Sequence, residues 1–215
     1  MNICISGTSR GIGKAIAEKF LREGHCVYGF DISGSSIDHE NYKHYIHDIC
    51  TDYVPDIPKA EILISNAGSF EEEKAIAVNL QGTIRFTEQF KDSPVLKSIL
   101  FIASASARNG AEFPLYSASK AGIVGYMKNL ALSAAKRGIT CNSISPGGVI
   151  TESNRHILDS EELYTAVKAE SLLGKWAVPE EIADLAYFLT VTNRSITGED
   201  ILIDNGEMLK SNFIW

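Results

Sequence analysis

Two side chains capable of acid–base chemistry, Tyr116 and Lys120, stand four positions apart in the run Tyr-Ser-Ala-Ser-Lys. On a helix, positions i and i+4 share one face, so the phenol and the ammonium would be neighbours. An adjacent ammonium favours the ionised phenol, which would bring proton exchange by the tyrosine closer to neutrality. The spacing alone is weak support, because Tyr164 and Lys168 repeat it among acidic residues. We interpret that second pair as a solvated helix face.

A serine hydroxyl stands at the end of the apolar run that precedes this pair. Ser104 directly follows the strand-like residues 98–103. Open α/β sheets bind ligands at the carboxyl ends of their strands, where a serine can donate a hydrogen bond to a substrate carbonyl oxygen. A strand-end cap is the alternative role for this side chain. If the loop slips, Ser106 is the alternative residue.

A glycine-rich loop lies near the start of the chain, between an apolar run and an amphipathic segment. Its pattern is Gly-x-x-x-Gly-x-Gly. Glycine permits the tight strand-to-helix turn and lets a pyrophosphate approach the main-chain amides. A simple connecting turn is the alternative, but the acidic end of the next strand-like run favours a dinucleotide-binding loop. The predicted contacts are Gly7, Ser9, Arg10, Gly11, Ile12 and Gly13.

The residues after this loop bear on which dinucleotide binds. Asp31 ends the next apolar run, where a carboxylate can accept hydrogen bonds from ribose hydroxyls and would repel a 2′-phosphate. We therefore expect NAD in preference to NADP. Arg10 opposes this preference, since a guanidinium can hold a phosphate, although it could also pair with Asp31 or face solvent. Asp48 could bind the adenine amino group or cap the next segment.

These groups need a frame that brings them to one place. Short apolar runs alternate with segments of helical period, which predicts right-handed crossovers and a Rossmann-type, doubly wound parallel sheet with helices on both faces. The predicted strands are residues 2–5, 26–31, 61–65, 98–103, 140–145 and 201–203, all interpreted as buried on both faces. The predicted helices are residues 11–23, residues 116–136 and a segment that begins at Pro179. Residues 150–174 are predicted to form a loop or helical flap.

The length and composition set further bounds. The 215 residues are 45% hydrophobic and carry a net charge of −7. We expect one domain over residues 1–215, with a nucleotide half at about 1–95 and a catalytic half at about 96–215. The negative charge argues against nucleic acid as a partner, and no apolar run approaches the roughly 18 to 20 residues that span a bilayer. The start lacks a signal-peptide pattern, so we expect a cytoplasmic protein. The cysteines show no CxxC spacing, so no metal site is predicted.

Together the motifs resemble the short-chain dehydrogenase/reductase family, of the classical type. The glycine loop, Ser104 and the Tyr116–Lys120 pair occur in the family's order. The other matching elements are Ser65-Asn66-Ala67-Gly68, Asn79 in Val-Asn-Leu, the stretch from Asn142 to Gly147 with Thr151 after it, Pro179-Glu180-Glu181-Ile182-Ala183 and Ile196-Thr197-Gly198. Each motif is modest alone, whereas their joint order and spacing are specific.

The resemblance implies hydride transfer between a nicotinamide and a carbonyl or secondary alcohol. Tyr116 would be the general acid or base, Lys120 would bind the nicotinamide ribose, and Ser104 would orient the substrate oxygen. Asn79 would hold a water in a proton relay through Lys120. Without the surrounding motifs, Asn79 would be interpreted as an ordinary helix residue and Thr151 as a helix cap. The implied cofactor contacts beyond the glycine loop are Asn66, Ala67, Gly68, Tyr116, Lys120, Pro146, Gly147, Val149 and Thr151.

One departure from the family bears on assembly. Ten residues separate Gly68 from Asn79, fewer than is usual in the family. The shortening trims a helix that commonly helps to form the family's dimer interface, and it removes one wall of the substrate cleft. We still expect a homodimer or homotetramer and a small-molecule substrate.

Two other functions compete with a general dehydrogenase. A reductase of 3-oxoacyl chains bound to an acyl carrier protein would be expected to carry a basic patch beside the cleft, but Arg108, Lys128 and Arg155 are scattered in sequence. A protein that only senses the dinucleotide is the alternative outside the enzymes. Such a sensor has no chemical need for the complete catalytic set.

Overall fold

The structure contains one parallel sheet. The computed structural model describes residues 1–111 and 113–209, and seven strands occur within them. They are β1 Asn2–Ser6, β2 Cys26–Asp31, β3 Tyr42–Ile46, β4 Ile62–Ser65, β5 Ser98–Ile102, β6 Thr140–Pro146 and β7 Asp200–Ile203. Their order in the sheet is β3-β2-β1-β4-β5-β6-β7. The strand order reverses between β1 and β4, which is where open α/β sheets bind ligands. The predicted Rossmann-type fold is thus confirmed.

Sequence reasoning missed the edge strand β3. Its residues, Tyr-Lys-His-Tyr-Ile, form no apolar run, and none of them is fully buried. Tyr42 packs against the hydrophobic cluster on one face of the sheet, whereas Tyr45 packs against the cluster on the other. The opposite edge strand, β7, is half-buried throughout. All predicted strands were interpreted as buried on both faces. For β7, which forms one edge of the sheet, that interpretation was wrong.

Helices cover both faces of the sheet, as predicted. The α-helices are α1 Gly11–Arg22, α2 Glu72–Ala75, α3 Thr83–Glu88, α4 Ser106–Asn109, α5 Pro114–Ala134, α6 Arg155–Leu158, α7 Glu161–Ala169 and α8 Pro179–Tyr187. Side chains alternate between the faces along each strand. Ile3 and Ile5 of β1 therefore join the cluster under α1 and α8, while Cys4 joins the cluster under α3 and α5.

The helix that carries Asn79 is irregular. Helix α2 continues directly into a π-helical segment, Ile76–Gly82, and then into α3. Asn79 lies in the middle of the π-helical segment and is fully buried. Widened turns of this kind are rare and often occur at functional sites.

The segment predicted as a loop or flap contains helices. A short 3-10 turn at Glu152–Asn154 leads into α6 and then α7, and these three elements contain no buried residue. Ser160 caps α7 by accepting a hydrogen bond from the backbone N–H of Leu163. Tyr164 and Lys168 lie on α7, with the lysine ammonium 4.5 Å from the ring centroid. Both side chains are half-buried, and the Tyr164 ring also lies edge-on to Trp176, so the pair is not the fully solvated helix face that its acidic neighbours predicted.

The described residues contain neither a membrane-spanning helix nor a cluster of metal ligands. No helix in residues 1–111 and 113–209 is long and apolar enough to span a membrane. No group of three or more His, Cys, Asp or Glu side chains in those ranges is placed to hold a metal ion.

Candidate active site

The predicted catalytic residues meet where β5 ends. Tyr116 and Lys120 lie on the first turns of α5 and are 6% and 5% exposed. The Lys120 ammonium donates a hydrogen bond to the carbonyl of Ile102 at 3.1 Å and lies 5.7 Å from the Tyr116 ring centroid. Because Ile102 is the last residue of β5, this bond fixes the start of α5 beside Ser104, which follows two residues later.

Asn79 lies next to the same lysine. A Cβ atom on Gly68 would be 3.2 Å from Asn79 Oδ1 and 3.5 Å from Lys120 Nζ, so both side chains converge on this glycine. Asn79 is held by the backbone of Ser69, which donates to Oδ1 at 2.7 Å and accepts from Nδ2 at 2.9 Å. Asn79 Nδ2 also donates to the hydroxyl of Ser119, the residue before Lys120, at 3.2 Å. The asparagine therefore connects the π-helical segment to α5.

The two serines after β5 have different hydrogen bonds. Ser104 Oγ accepts from the Ser106 hydroxyl at 3.0 Å and from the Ser106 backbone N–H at 3.2 Å. With its oxygen accepting twice, the Ser104 hydroxyl retains its own hydrogen for a third partner, such as a substrate oxygen. The hydrogen of Ser106 is already committed to Ser104. This geometry favours Ser104 over Ser106 as the residue that orients the substrate.

Substituting the two serines separately tests that assignment. We expect Ser104→Ala to lower kcat by about 10²-fold or more, since a donor to the developing oxyanion is worth that much in other enzymes. Ser106→Ala should cost less than about tenfold, because it removes only a polarising neighbour. Steady-state kinetics with one substrate would measure both. A larger loss for Ser106→Ala than for Ser104→Ala would reverse the assignment.

Two residues that sequence reasoning missed also contact Tyr116. The Phe70 ring stacks on the Tyr116 ring, with centroids 5.1 Å apart and planes at 19°. The Glu72 carboxylate accepts from the backbone N–H groups of Leu115 at 2.7 Å and Tyr116 at 3.4 Å. A carboxylate at a helix N-terminus is favourable because it satisfies unpaired N–H groups and opposes the helix dipole. The short segment after Gly68 thus contacts the predicted catalytic tyrosine directly.

The glycine loop has the conformation that its sequence predicts. Gly7 and Gly11 have φ angles of +77° and +55°, which side-chain-bearing residues rarely adopt. A Cβ atom on Gly13, in the first turn of α1, would overlap the Gly7 carbonyl oxygen and the Asn66 amide. Asn66 Nδ2 donates to the carbonyls of Ser6 at 3.1 Å and Gly7 at 3.0 Å, so the end of β4 holds the loop in place.

Asp31 lies beside this loop, as predicted. Its Oδ2 accepts from the Ser9 backbone N–H at 3.0 Å, and its Oδ1 accepts from the Ser33 backbone N–H at 2.9 Å. Each carboxylate oxygen keeps a lone pair for a ribose hydroxyl. Arg10 is exposed and forms no ion pair with Asp31 or with any other acid in residues 1–111 and 113–209. Of the two alternative roles considered for Arg10, the structure therefore contains the solvent-facing one and not the pair with Asp31.

Asp48 acts as a cap in the structure. Its Oδ1 accepts from the Cys50 backbone N–H at 2.8 Å, and its backbone carbonyl accepts from the Thr51 N–H. Two roles were considered for Asp48, binding adenine and capping the next segment, and the structure contains the capping hydrogen bond. A contact with adenine stays a prediction, since a carboxylate oxygen can accept further bonds.

The turn after β6 lies beside both halves of the site. The Pro146 carbonyl accepts from the Ala105 N–H at 2.8 Å, and the Gly147 N–H donates to the Ile203 carbonyl at 3.0 Å. Val149 pairs with Ala177 in an isolated parallel bridge. These bonds connect the turn to both the end of β5 and the end of β7.

Thr151 faces the glycine loop. The Thr151 methyl carbon would be 3.5 Å from a Cβ atom on Gly11. Thr151 also directly precedes the 3-10 turn Glu152–Asn154, but its side chain makes no capping hydrogen bond there. The predicted contacts at Gly11 and Thr151 therefore lie side by side. A cavity of about 460 Å³ adjoins both residues and is also bounded by Lys14, Glu152 and Arg155.

The carboxylate of Glu207 packs on the turn after β6, at Gly147 and Gly148. Glu207 accepts a hydrogen bond from the Gly148 backbone N–H, and a Cβ atom on Gly147 would be 3.0 Å from Glu207 Oε2. Burial raises the pKa of Glu207 above its ordinary value, and the nearby Asp204 and Glu170 carboxylates add to that rise, whereas the Gly148 bond opposes it. Nothing in the sequence pattern singled out this residue.

Comparison with known proteins agrees with the geometry. A family model described as enoyl-(acyl carrier protein) reductase matches residues 57–207. The L-rhamnose 1-dehydrogenase (NADP(+)) of Thermoplasma acidophilum is 28% identical over 97% of this chain and 96% of that protein. The 3-oxoacyl-[acyl-carrier-protein] reductase FabG of Aquifex aeolicus is 30% identical over 94% of this chain and 95% of its own length. A solved structure of 4-hydroxyisoleucine dehydrogenase complexed with NADH has a TM-score of 0.86 at 26% identity, covering 98% of this chain and 99% of that one.

With the parallel sheet, the glycine loop and a family match over most of its length, the chain belongs to the short-chain dehydrogenase/reductase family. It is an NAD(P)-dependent oxidoreductase that acts on CH–OH or C=O groups.

Proposed function

We propose that the chain interconverts a secondary alcohol and a carbonyl compound, with Tyr116 as the proton donor and acceptor. The observation that carries this proposal is the buried Tyr116–Lys120 pair, fixed by the Lys120–Ile102 hydrogen bond at the end of the strand that precedes Ser104. A bound nicotinamide supplies or accepts the hydride. The donor set fits such a group, because the glycine loop, the N-terminus of α1 and Asp31 lie together at the strand-order reversal.

Each residue has a distinct task in this proposal. In the reducing direction the Tyr116 hydroxyl gives its proton to the substrate oxygen while Ser104 donates a hydrogen bond to that oxygen. Lys120 would hold the nicotinamide ribose and restore the tyrosine proton. Asn79 positions the water that hands protons to Lys120, which fits its place beside Gly68 and Ser119. In the oxidising direction every proton moves the opposite way.

NAD is the dinucleotide that we propose this chain prefers. The support is Asp31, whose carboxylate is oriented by two backbone N–H groups at the glycine loop. An oriented carboxylate accepts ribose hydroxyls well and repels a 2′-phosphate. The relatives divide on this point, since the Thermoplasma dehydrogenase is named for NADP(+) whereas the hydroxyisoleucine dehydrogenase was solved with NADH.

Replacing Asp31 tests the cofactor preference. We expect Asp31→Ala to weaken NAD binding and to strengthen NADP binding, because it removes the ribose acceptor and the repulsion together. The ratio of the two Kd values should change by about tenfold or more, as charge-assisted bonds are worth roughly 1.5–3 kcal/mol each. Fluorescence titration with both dinucleotides measures the ratio. An NADP preference in the unmodified protein would contradict the proposal.

Reduction of 3-oxoacyl groups on an acyl carrier protein stays as the second candidate. The 30% identity to FabG favours it, and the matched family description, which names an enoyl rather than a 3-oxoacyl substrate, also refers to an acyl carrier protein. Two of the three cations considered for docking an acidic carrier support it less, because Arg108 is paired with Asp200 at 2.9 Å and Arg155 with Asp159 at 3.4 Å. Lys128 is exposed and forms no ion pair within the described residues. A panel of sugars, secondary alcohols and 3-oxoacyl thioesters, run with both dinucleotides, separates the candidates. No turnover on any of them would favour the sensing alternative.

Assembly and location complete the proposal. A homodimer or homotetramer in the cytoplasm is the arrangement that the sequence predicts, with a small molecule as substrate and no nucleic acid as partner.

A further inference from the structure

A hydrogen-bonded network of four residues lies beneath the glycine loop and involves the edge strand that sequence reasoning missed. The Thr8 hydroxyl is 2.9 Å from the Tyr42 hydroxyl, and the Tyr42 hydroxyl is 2.8 Å from His44 Nδ1. His44 Nε2 is in turn 2.8 Å from the Ser33 carbonyl oxygen. We call these four residues the Thr8–Ser33 network. It connects the loop after β1, strand β3 and the loop after β2.

The direction of each bond follows from the carbonyl at one end. The Ser33 carbonyl can only accept, so His44 Nε2 carries the hydrogen and donates it. In the neutral imidazole Nδ1 is then an acceptor, and the Tyr42 hydroxyl donates to it. The Tyr42 oxygen is left to accept from the Thr8 hydroxyl. With the ring neutral, the three hydrogen bonds that connect Thr8 to Ser33 all run in one direction.

Glycine in the middle of β2 is explained by this network. A Cβ atom on Gly29 would overlap the Tyr42 hydroxyl and would be 2.5 Å from Thr8 Oγ1. Strand β2 lies between β1 and β3, so the Tyr42 side chain must cross it to reach Thr8. Thr8 is fully buried. A glycine at this position therefore allows the crossing, at the usual cost of glycine within a strand.

The network ends on the residue that holds Asp31. The Ser33 carbonyl accepts from His44 and also from the Ser9 hydroxyl at 3.0 Å, while the Ser33 N–H donates to Asp31 Oδ1. Ser9 in turn donates its own N–H to Asp31 Oδ2. Ser33 is thus fixed on one side by β3 and on the other by the glycine loop. Its N–H is one of the two backbone donors, with that of Ser9, that orient the Asp31 carboxylate.

We propose that Tyr42 and His44 are positioning residues for the adenosine end of the dinucleotide site and thereby help to set the preference for NAD. Through Ser33 they keep the Asp31 carboxylate in the orientation that accepts ribose hydroxyls, which lowers the ordering cost of binding. The inference rests on the proposed role of Asp31. Neither residue touches the reacting atoms, so chemistry at the nicotinamide end is left unchanged.

Two substitutions in the network test the inference in the full-length protein. Tyr42→Phe removes the hydroxyl that connects Thr8 to His44, and His44→Ala removes the donor to Ser33. For each we expect the Kd of NAD to rise about three- to tenfold, as for the loss of one hydrogen bond. The Kd of NADP should change less, so the NAD preference falls, while kcat at saturating NAD stays within about twofold of the unmodified protein. A variant that merely loosened the whole fold would not produce this combination.

The chain offers matched controls on the same strand. Tyr45→Phe makes the same chemical change on the other face of β3, where Tyr45 stacks on Phe30, and should leave the NAD preference unchanged. His44→Gln keeps an N–H donor within reach of the Ser33 carbonyl and should restore most of the preference lost in His44→Ala. If His44→Ala fails to fold, the comparison of Tyr42→Phe with Tyr45→Phe and His44→Gln remains decisive.

The possible outcomes separate this inference from the proposed function. If Asp31→Ala changes the ratio of Kd values but Tyr42→Phe and His44→Ala do not, the network inference is overturned and the role of Asp31 stands. If Asp31→Ala itself leaves the ratio unchanged, the proposed cofactor preference fails and the inference falls with it. A fall in NAD preference in both network variants, absent from Tyr45→Phe, supports the inference.

Discussion

Tyr116→Phe is expected to lower kcat by about 10²- to 10⁴-fold, the range that a positioned general acid or base contributes. The substitution removes a single oxygen atom. The phenylalanine ring keeps the stacking contact with Phe70, and the backbone N–H at position 116 keeps the Glu72 carboxylate as an acceptor. Dinucleotide affinity should therefore stay within about threefold of the unmodified protein, since the glycine loop and Asp31 lie elsewhere in the site. Stopped-flow hydride transfer together with fluorescence titration would separate the two effects.

The matched control is the second tyrosine–lysine pair. Tyr164→Phe removes the same atom from a tyrosine that also faces a lysine four positions later, on the exposed helix α7. We expect its turnover to equal that of the unmodified protein. If Tyr116→Phe turned over as fast as the unmodified protein, the acid–base assignment would fail. An equal loss in both variants would point to a general effect of removing a tyrosine hydroxyl.

Gly13→Ala is expected to abolish dinucleotide binding and to destabilise the fold. The added Cβ atom would overlap the Gly7 carbonyl oxygen, which is backbone, and the Asn66 side-chain amide, which is held by hydrogen bonds to the Ser6 and Gly7 carbonyls. Either α1 moves away from β1 or the Gly7 turn opens, and both changes displace the N–H groups that would face a pyrophosphate. Overpacking of this kind costs about 1–3 kcal/mol of unfolding free energy. Urea denaturation and dinucleotide titration would measure the two consequences.

Gly125→Ala provides the control for stability. No atom outside its own helix backbone lies within 4 Å of a Cβ atom at Gly125, which is in the interior of α5. Replacing glycine by alanine in a helix interior should stabilise the protein by about 0.5–1 kcal/mol. If Gly13→Ala bound NAD as tightly as the unmodified protein, close packing at Gly13 would not be needed for dinucleotide binding.

Much of the fold follows from local patterns that depend on few neighbours. The strand before the glycine loop, the helix after it and Asp31 at the end of β2 were predicted because apolar runs and glycine spacing act within about 30 residues. The Tyr116–Lys120 pair was found in the same way, from helical spacing. The ends of elements shifted by one or two residues, as for α5, which begins at Pro114 and ends at Ala134. Proline is well suited to the first helical turn, so this start has a local cause.

The features that the sequence did not reveal depend on contacts between distant segments. Strand β3 has no apolar run, because it lies at the sheet edge and half-exposed positions tolerate polar residues. Glu72 looks like one of several solvated acids until α5 places the Leu115 N–H against it. Tyr42 and His44 gain a role only because Gly29 leaves space across β2. Patterns of residue type within one segment cannot predict such pairings.

The π-helical segment Ile76–Gly82 makes the length of this helix more important than the identity of most of its residues. In a regular α-helix each residue turns the chain by about 100°, whereas a π turn accommodates an additional residue. The widened turn lets Asn79 face Ser69 and Ser119 while Phe86, further along, remains in the core. Deleting a single residue between Glu72 and Glu88 would rotate one of these side chains away from its partners. Insertions or deletions between Glu72 and Glu88 are therefore expected to impair this chain more than substitutions at exposed positions of the same helix.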